Sequence, residues 1–446
     1  MPWSHGSREG REMTTVTGRN GVLAIDIDEP WVEGVVEDTV DLLVHLPADQ
    51  NGNFAPNLVA RAYPFDGLVD ELAGRLVSSL HDNLHKVQVI DVQMWQGPET
   101  RAVVYSHVSP ASKTRIRSMD LIKFEGRVAI QVTISSSSPQ WPALRTHLEE
   151  VARSVRVVDA TAVETPAGPE IQSEFNVLDA PYAEQESVEV VDYSGVADRQ
   201  PYPVADMPTV TDAAMDLLQR MSDGYKIGRL GAGKDTEALR TLEDGGFVEG
   251  QSLTEIGAAC AALMDEASVS LHCSATRSTG TSQLFVWADD SLAFVVAGRG
   301  PGAGQEGPEQ GTYSAYVIPL YEVSTNIGQW LGLAPAWQLE LAPTVIDEGT
   351  LNALVIHGEP ALPVGGNTAW IDAASQPWVM WTLEARSEAG ELEPLTYFSA
   401  GRRGQYRPAD VDRNHYALIP QPTITVQDQI EDRIQALLFD RPVQMV

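Results

Sequence analysis

The stretch IGRLGAGKDTEAL, residues 227–239, has nearly the spacing of a phosphate-binding loop. Gly228, Gly233 and Lys234 match G-x-x-x-x-G-K, a loop whose backbone amides hold phosphates and whose next Ser or Thr binds Mg²⁺. Here the next residue is Asp235, a carboxylate that would lie beside the phosphates. The residues before Gly228 are typical of a helix end, whereas such loops follow a buried strand. We therefore expect a helix connector, with Asp235 capping the next helix, and no nucleotide cofactor.

Histidine and cysteine spacings are further candidates for chemistry. His81 and His85 lie one helical turn apart, but HDNLH lacks the glutamate of the zinc-hydrolase motif H-E-x-x-H. A zinc site needs three or four converging ligands, so we expect no metal here. His272 and Cys273 are neighbours on a predicted strand and point to opposite faces. Cys260 and Cys273 are the two cysteines of the chain, and we expect both to be buried thiols.

A tryptophan-rich stretch is the strongest candidate for binding. Trp330, Leu331, Leu333 and Trp337 lie in NIGQWLGLAPAW, where Gly and Pro interrupt any continuous helical stripe. Aromatic side chains concentrate binding energy when they are exposed, although core packing is their commoner fate. We predict that these four residues form an exposed apolar patch that contacts a protein partner. We identify no catalytic residue, because no nucleophile motif such as G-x-S-x-G occurs.

Composition limits the classes of partner. A chain of 446 residues indicates two or three domains. Its 62 Asp and Glu residues against 30 Lys and Arg give a net charge of −32, which repels nucleic acid. A winged-helix alternative for residues 235–267 is disfavoured, because Arg240 is their one basic residue. We find neither a signal-like nor a membrane-spanning apolar stretch, so we expect a cytoplasmic protein, with Met1 or Met13 as its start.

Shifts in composition predict the domain boundaries. Residues 160–198 contain nine carboxylates and no Lys or Arg, and we predict a disordered acidic linker over 159–207. Residues 1–37 are predicted to be a partly disordered lead-in, and residues 441–446 a short tail. Two folded domains are then expected, over 38–158 and 208–440.

The first of these domains has the pattern of an antiparallel sheet packed with helices. Two strand-like runs precede a helix with leucine at every fourth position from Leu68 to Leu84. Four runs rich in β-branched residues follow, and then a closing helix, WPALRTHLEEVARSV. This order predicts the α+β class for residues 38–158.

These residues also resemble a known group. NFAPNLVARAYPFDGLVDELAGRLVSSL, the strands after it and the ending VTISSSSPQWPAL are similar to the actinobacterial LpqN/LpqT-like group of Mog1/PsbP-like domains. The resemblance implies a scaffold for protein contacts, with no catalytic motif to transfer. Members are often lipoproteins, but this chain lacks the lipid-attachment cysteine, so an extracellular location is not expected.

Residues 208–440 predict a second α+β domain, with helices first, then strands, then the helix TVQDQIEDRIQALL. Ser252 and Glu255 have capping-box spacing at the start of one helix. GGFVEGQSLTEIGAACAALMDEASVSLHC, GRRGQY and the final helix resemble the EspG-type chaperones of type VII secretion. That resemblance implies the binding of a secretion substrate without catalysis.

Three functional hypotheses follow from these patterns. The favoured one is a non-catalytic protein-binding factor, a chaperone or accessory protein of type VII secretion whose partner is a secreted helical hairpin. The second is a small-molecule-handling enzyme with its site between sheet and helices, which a deep pocket with converging polar groups would favour. The third is a scaffold that joins two partners.

Overall fold

The structure is a computed structural model with two compact units, Met1–Tyr193 (unit 1) and Ser194–Val446 (unit 2). It describes residues 13–36, 40–47, 54–95, 97, 99–160, 193, 196, 200, 202, 207–225, 232–302, 307–309, 311–336, 344–363, 368–388 and 390–439. Most of the predicted linker and all of the predicted tail lie outside these residues. Within the described part, none of the helices has the length and apolar character that a membrane crossing requires.

The described part of unit 1 contains a long sheet, a small sheet and two α-helices. Its strands are β1 Thr14–Thr17, β2 Leu23–Ile27, β3 Val32–Glu33, β4 Leu42–His45, β5 Asn57–Pro64, β6 Gln88–Gln93, β7 Thr100–Val108, β8 Arg115–Glu125, β9 Val128–Ser137 and β10 Arg156–Val157. Its helices are α1 Val69–Asn83 and α2 Trp141–Arg153, the latter preceded by a 3₁₀ turn, Ser138–Gln140.

The long sheet of unit 1 has the order β3-β4-β5-β9-β8-β7-β6, and every pairing is antiparallel. Helix α1 packs on β7 and β8, and α2 packs on β9 and β2. Strands β8 and β9 are buried along most of their length on both faces, because helices or other segments cover both sides of the sheet centre. The α+β class and the predicted order of these elements are confirmed.

The predicted lead-in contains regular structure. Strands β1, β2 and β10 form a three-stranded antiparallel sheet that joins the start of unit 1 to the end of α2. Leu23 and Ile25 are fully buried, and Arg156 donates two hydrogen bonds to Asp26, of 2.8 and 3.0 Å. Short strands with mixed polar residues give little periodic signal, so the sequence did not predict this sheet.

Among the residues of unit 2 that the structure describes, there are thirteen strands and seven α-helices. The strands are β11 Thr209–Thr211, β12 Val248–Glu249, β13 Ser252–Leu253, β14 Val269–Arg277, β15 Gly280–Ala288, β16 Leu292–Ala297, β17 Thr312–Pro319, β18 Thr344–Asp347, β19 Trp378–Ser387, β20 Gly390–Glu391, β21 Leu395–Ala400, β22 Gln405–Asp412 and β23 His415–Gln421. The helices are α3 Asp212–Ser222, α4 Ala232–Asp244, α5 Glu255–Glu266, α6 Val323–Leu331, α7 Glu348–Asn352, α8 Thr368–Ala374 and α9 Thr423–Phe439, with a π-helical turn at Ala353–His357.

The two faces of the large sheet of unit 2 are packed against different elements. Its order is β11-β17-β16-β15-β14-β19-β21-β22-β23-β18, with β20 paired to β19. Alternate residues of β14, including Cys273, point into a core that also contains α6 and α9. We call this side the Cys273 face. The opposite side, the His272 face, is covered by α3, α4 and α5 over β16 and β17, and by α7, α8 and the π-helical turn over β21 to β23.

The strand order of unit 2 repeats in its two halves, so the unit is a structural duplication. From its edges inwards, the sheet runs β11-β17-β16-β15-β14 on one side and β18-β23-β22-β21-β19 on the other. In each half an edge strand pairs with the last of four meander strands, and a helix from the end of the half enters the shared core. Two such halves related by a two-fold axis would place their first meander strands side by side and antiparallel, as β14 and β19 are.

The register locates the axis of this duplication. Cys273 pairs with Leu383, which lies 110 residues later, and Gly280 closes the β14–β15 hairpin as Gly390, also 110 residues later, closes β19–β20. Both glycines have positive φ, 125° and 136°, a conformation that L side chains rarely adopt. The pseudo-two-fold axis therefore passes through the Cys273–Leu383 pair.

Candidate functional sites

The described part of unit 1 has a pocket between α1 and the long sheet, with a volume of about 290 Å³. Its apolar wall comes from both sides and consists of Val40, Val59, Leu76, Leu80 and Leu84. Leucines four residues apart on α1 point to the same side of the helix, so the predicted leucine stripe supplies one wall. This position, between sheet and helix, is where the small-molecule hypothesis expects a site.

The floor of the pocket is a hydrogen-bonded polar network centred on Asp120. Gln131 Nε2 donates to Asp120 Oδ1 at 3.0 Å, and Thr133 Oγ1 donates to the same oxygen. Burial raises the pKa of the Asp120 carboxyl, and the hydrogen bonds from Thr133, Gln131 and Tyr105 oppose that rise. Burial also raises the pKa of Tyr105 well above its ordinary value. Because Asp120 accepts from three neighbours, it acts as a structural anchor for the floor.

Arg61 lies at the exposed mouth of the same pocket. Its Nε and Nη2 donate to Gln131 Oε1 at 2.9 and 2.5 Å, and its guanidinium lies over the Tyr63 ring, 5.3 Å from the centroid. Gln131 is itself held by Asp120. The buried carboxylate thus orients the amide, and the amide orients the guanidinium.

Unit 2 presents a second candidate at the centre of its His272 face. We define the central strip as Ser270, His272, Ser274, Phe285, Trp287, Thr382, Glu384 and Arg386, which lie side by side on β15, β14 and β19 and are all half-buried or exposed. Helix α5 packs on β15 and β16, and the π-helical turn packs on β14 and β19. The strip therefore lies between the helical layers of the two halves.

His272 has a fixed orientation in the central strip. Its ring stacks on Phe285 with centroids 4.7 Å apart and an interplanar angle of 5°. Phe285 stacks on Trp287 at 5.9 Å, and Trp287 on the fully buried Phe294 at 5.9 Å. On the other side, His272 Nδ1 lies 3.3 Å from Glu384 Oε2. Aromatic and hydrogen-bonded contacts thus anchor the strip to the core.

The helices beside the central strip are acidic. The sequences of α5, α7, α8 and the π-helical turn contain no Lys or Arg, and their acids are Glu255, Asp265, Glu266, Glu348 and Asp372. Glu384 adds a side chain that is 63% exposed within the strip itself. Arg386, the cation of the strip, pairs with Glu391, and Asp372 pairs with Arg403. The remaining acids still outnumber the cations around the strip, which favours positively charged partners.

The predicted apolar patch is not exposed. Trp330, Leu331 and Leu333 are 0%, 5% and 2% exposed and belong to the core on the Cys273 face. Trp330 Nε1 donates to Gly298 O at 2.8 Å. The expectation that these three side chains form an accessible surface is wrong, and Trp337 lies outside the described residues.

The end of α6 explains this burial. Gly332 has φ 73°, its N–H donates to Gln329 O at 3.0 Å, and the N–H of Leu333 donates to Gly328 O at 2.8 Å. These two bonds are those of a Schellman motif, in which the residue after the glycine packs back against the helix. In W-L-G-L the glycine therefore ends the helix and returns Leu333 to the core, a signal that the sequence contained.

The loop-like stretch at 227–239 also differs from its expectation. Helix α4 begins at Ala232, so Asp235 lies within its first turn and does not precede it. The Asp235 carboxylate accepts from Arg220 Nη2 and from the Tyr225 hydroxyl, each at 3.2 Å. The predicted capping role of Asp235 is wrong, and Gly228 lies outside the described residues.

The cap of α5 lies two residues after the predicted one. Helix α5 starts after Thr254, whose Oγ1 accepts from the N–H of Gly257 at 3.0 Å, whereas Ser252 lies on β13. The helix was predicted, but its cap is Thr254 and not Ser252.

The predicted histidines and cysteines are distributed as follows. His81 is on α1 and His85 follows it, and among the described residues no three His, Cys, Asp or Glu side chains could together hold a metal ion. Cys260 and Cys273 are fully buried free thiols. His272 is on the face opposite Cys273, as strand alternation predicts.

Three of the solved structures that are similar to this chain each cover about a third of it. The cyanobacterial PsbP (CyanoP) of Synechocystis is 13% identical, with 34% of this chain and 97% of that chain covered and a TM-score of 0.26. The Ran-binding protein Mog1p of Saccharomyces cerevisiae is 13% identical, over 34% and 100%, with a TM-score of 0.27. LpqN of Mycobacterium tuberculosis, involved in cell envelope biogenesis, is 10% identical, over 34% and 92%, with a TM-score of 0.25.

These similarities include the Mog1, PsbP and LpqN proteins that the sequence resemblance named. With identities of 13% or less and TM-scores below 0.5, they establish no family and no function. A scan against family models finds no match, and a search of curated proteins finds none. The similarity of residues 208–440 to EspG-type chaperones and the domain boundaries 38–158 and 208–440 stay predictions.

Proposed function

We propose that this protein is a non-catalytic binding factor that holds a helical protein partner on the central strip of unit 2. The partner we infer is a secreted helical hairpin with a basic face, and the role is that of a cytoplasmic accessory factor of type VII secretion. The observation that supports this proposal is an anchored strip of polar and aromatic side chains between two acidic helical layers.

The strip as a whole is about as wide as one helix, with part of β15 under α5 and part of β14 and β19 under the π-helical turn. Strands β15, β14 and β19 are neighbours in the sheet, and strands lie about 4.8 Å apart, so three of them span roughly 10 Å. A helix with its side chains has a diameter of about 10–12 Å. Glu384 would then face Lys or Arg on the partner, which supports a basic helix over an acidic one.

Site-specific photo-crosslinking in the native host tests this proposal. A photoreactive residue at Ser274 is expected to crosslink to a secreted protein through a helix that carries Lys or Arg, as mapped by mass spectrometry. The control position is Val411, a 54% exposed residue on β22. Equal crosslinking of the same protein from both positions, or no secreted protein at Ser274, would refute the proposal.

Charge reversal supplies the second arm. Glu384→Lys is expected to reduce the specific crosslink about tenfold, because it places a cation where the partner's cations lie. Glu237→Lys makes the same change of net charge at an exposed position on α4, which packs on the edge strand β11. If the two variants behave alike, the strip does not select its partner by charge.

A further inference from the structure

The pocket of unit 1 combines features that the proposed protein binding does not use. It has an apolar wall, a hydrogen-bonded floor and a guanidinium at its mouth. We propose that this pocket binds a small amphipathic carboxylate, with the alkyl chain against α1 and the carboxylate on Arg61.

Arg61 is held in one orientation. Nε and Nη2 are both held on Gln131 Oε1, at 2.9 and 2.5 Å, which leaves the Nη1 side of the guanidinium directed away from the amide. A guanidinium presents its donors in a fixed planar fork, a geometry that suits a carboxylate. Because Asp120 and Gln131 fix this fork in advance, little side-chain freedom is lost when an anion binds.

The wall beside Arg61 is apolar and partly accessible. Leu76 and Leu80 are buried, whereas Val59 and Leu84 are half-buried at the side of the pocket. Apolar side chains that line an open pocket are stabilised when an alkyl chain displaces water from them. The guanidinium and this wall are adjacent in one pocket, so the ligand needs a charged end and an apolar body.

The volume of the pocket suits a small ligand. A volume of about 290 Å³ is near the lower end of ligand pockets. With about 30 Å³ for each non-hydrogen atom, the share of a water molecule in the liquid, the pocket holds about ten such atoms. Octanoate has ten non-hydrogen atoms, and it is the probe that matches this pocket best.

Titration of the full chain with octanoate, followed by methyl NMR, tests the proposal. We expect saturable shifts of the Val59, Leu76 and Leu80 methyl resonances. Arg61→Gln should weaken the octanoate affinity at least tenfold. Arg127→Gln should leave it unchanged, because Arg127 is an 84% exposed arginine of the same unit that pairs with Asp66 and does not line the pocket.

Three further outcomes separate the parts of the proposal. Octanol, which has the same chain and no charge, should bind at least tenfold more weakly, and equal binding would refute recognition by Arg61. Dodecanoate should bind no better than octanoate, and a large gain would refute the size limit. Leu84→Phe, a change at a half-buried position of the wall, should weaken octanoate without altering the unfolding of unit 1. Unchanged affinity in this variant would place the ligand elsewhere.

Discussion

Replacement of Trp330 by alanine is expected to destabilise unit 2, not to remove a binding contact. The side chain is fully buried among residues of α6, α9 and the sheet, and its Nε1 bonds to Gly298 O. Truncation of a buried tryptophan costs about 3–5 kcal/mol, a large share of the roughly 5–15 kcal/mol that stabilises a folded protein. For a unit of this size, the midpoint of thermal unfolding should fall by about 6–20 °C.

Trp330→Phe separates packing from hydrogen bonding. It keeps an aromatic ring but leaves Gly298 O without its donor, which costs about 1–3 kcal/mol. Leu292→Ala is the control, because Leu292 is 42% exposed in the same unit and such surface changes usually stay within about 0.5 kcal/mol. The expected order of stability is wild type and Leu292→Ala, then Trp330→Phe, then Trp330→Ala.

The losses in the free energy of unfolding can be measured by hydrogen exchange in increasing urea, followed by mass spectrometry on peptides of unit 2. The crosslink from Ser274 should persist in Trp330→Phe under conditions in which unit 2 is folded. If Trp330→Ala costs less than about 1 kcal/mol but abolishes the crosslink, then Trp330 contacts the partner and the burial argument is refuted.

Three more predictions concern close packing, charge and thiols. A Cβ on Gly257 would lie 1.9 Å from Phe247 O. Gly257→Ala should therefore lower the free energy of unfolding, measured in urea, by about 3 kcal/mol or more. An unchanged free energy of unfolding would show that α5 can shift to make room. Burial raises the folded-state pKa of Asp120 above its usual 3.8, so wild-type stability should fall relative to Asp120→Asn as the pH rises through that folded pKa. A pH-independent difference would contradict this. Burial raises the pKa of Cys260 to about 12 and that of Cys273 further, so iodoacetamide at pH 8 should label both only after unfolding.

The strongest periodic signals predicted the elements of unit 1. The strand NLVARAYP is β5, Asn57–Pro64, and the leucine stripe is α1, Val69–Asn83. Both have enough residues in one repeating pattern to identify the buried side. The small sheet of β1, β2 and β10 was missed, because strands of two to five residues are too short for such a pattern.

The functional residues were harder to predict than the elements. Trp330 and Leu333 were expected at the surface, because glycine and proline interrupt the helical pattern around them. In the structure Gly332 has a positive φ, which ends the helix and returns the chain to the core. The polar network of Asp120, Gln131 and Arg61 joins strands that are distant in sequence. Such a network depends on strand register, which the hydrophobic pattern of one strand does not supply.

The duplication of unit 2 was also invisible in the amino-acid pattern. Residues at equivalent positions differ in chemistry, as Cys273 and Leu383 do at the axis. The repeat is carried by the order of strand pairing and by the glycines that close the two hairpins, Gly280 and Gly390. Sheet topology and these two glycines, not the hydrophobic pattern, therefore reveal it.

The pseudo-two-fold axis gives unit 2 a freedom that a symmetric dimer lacks. In a dimer of identical chains every substitution appears on both sides of the axis. Here both halves belong to one polypeptide, so each side can change by itself. The positions equivalent to His272 and Ser274, 110 residues later, are occupied by Thr382 and Glu384. The two sides of the strip thus differ chemically, and such a surface can distinguish the two directions in which a single helix could lie across it.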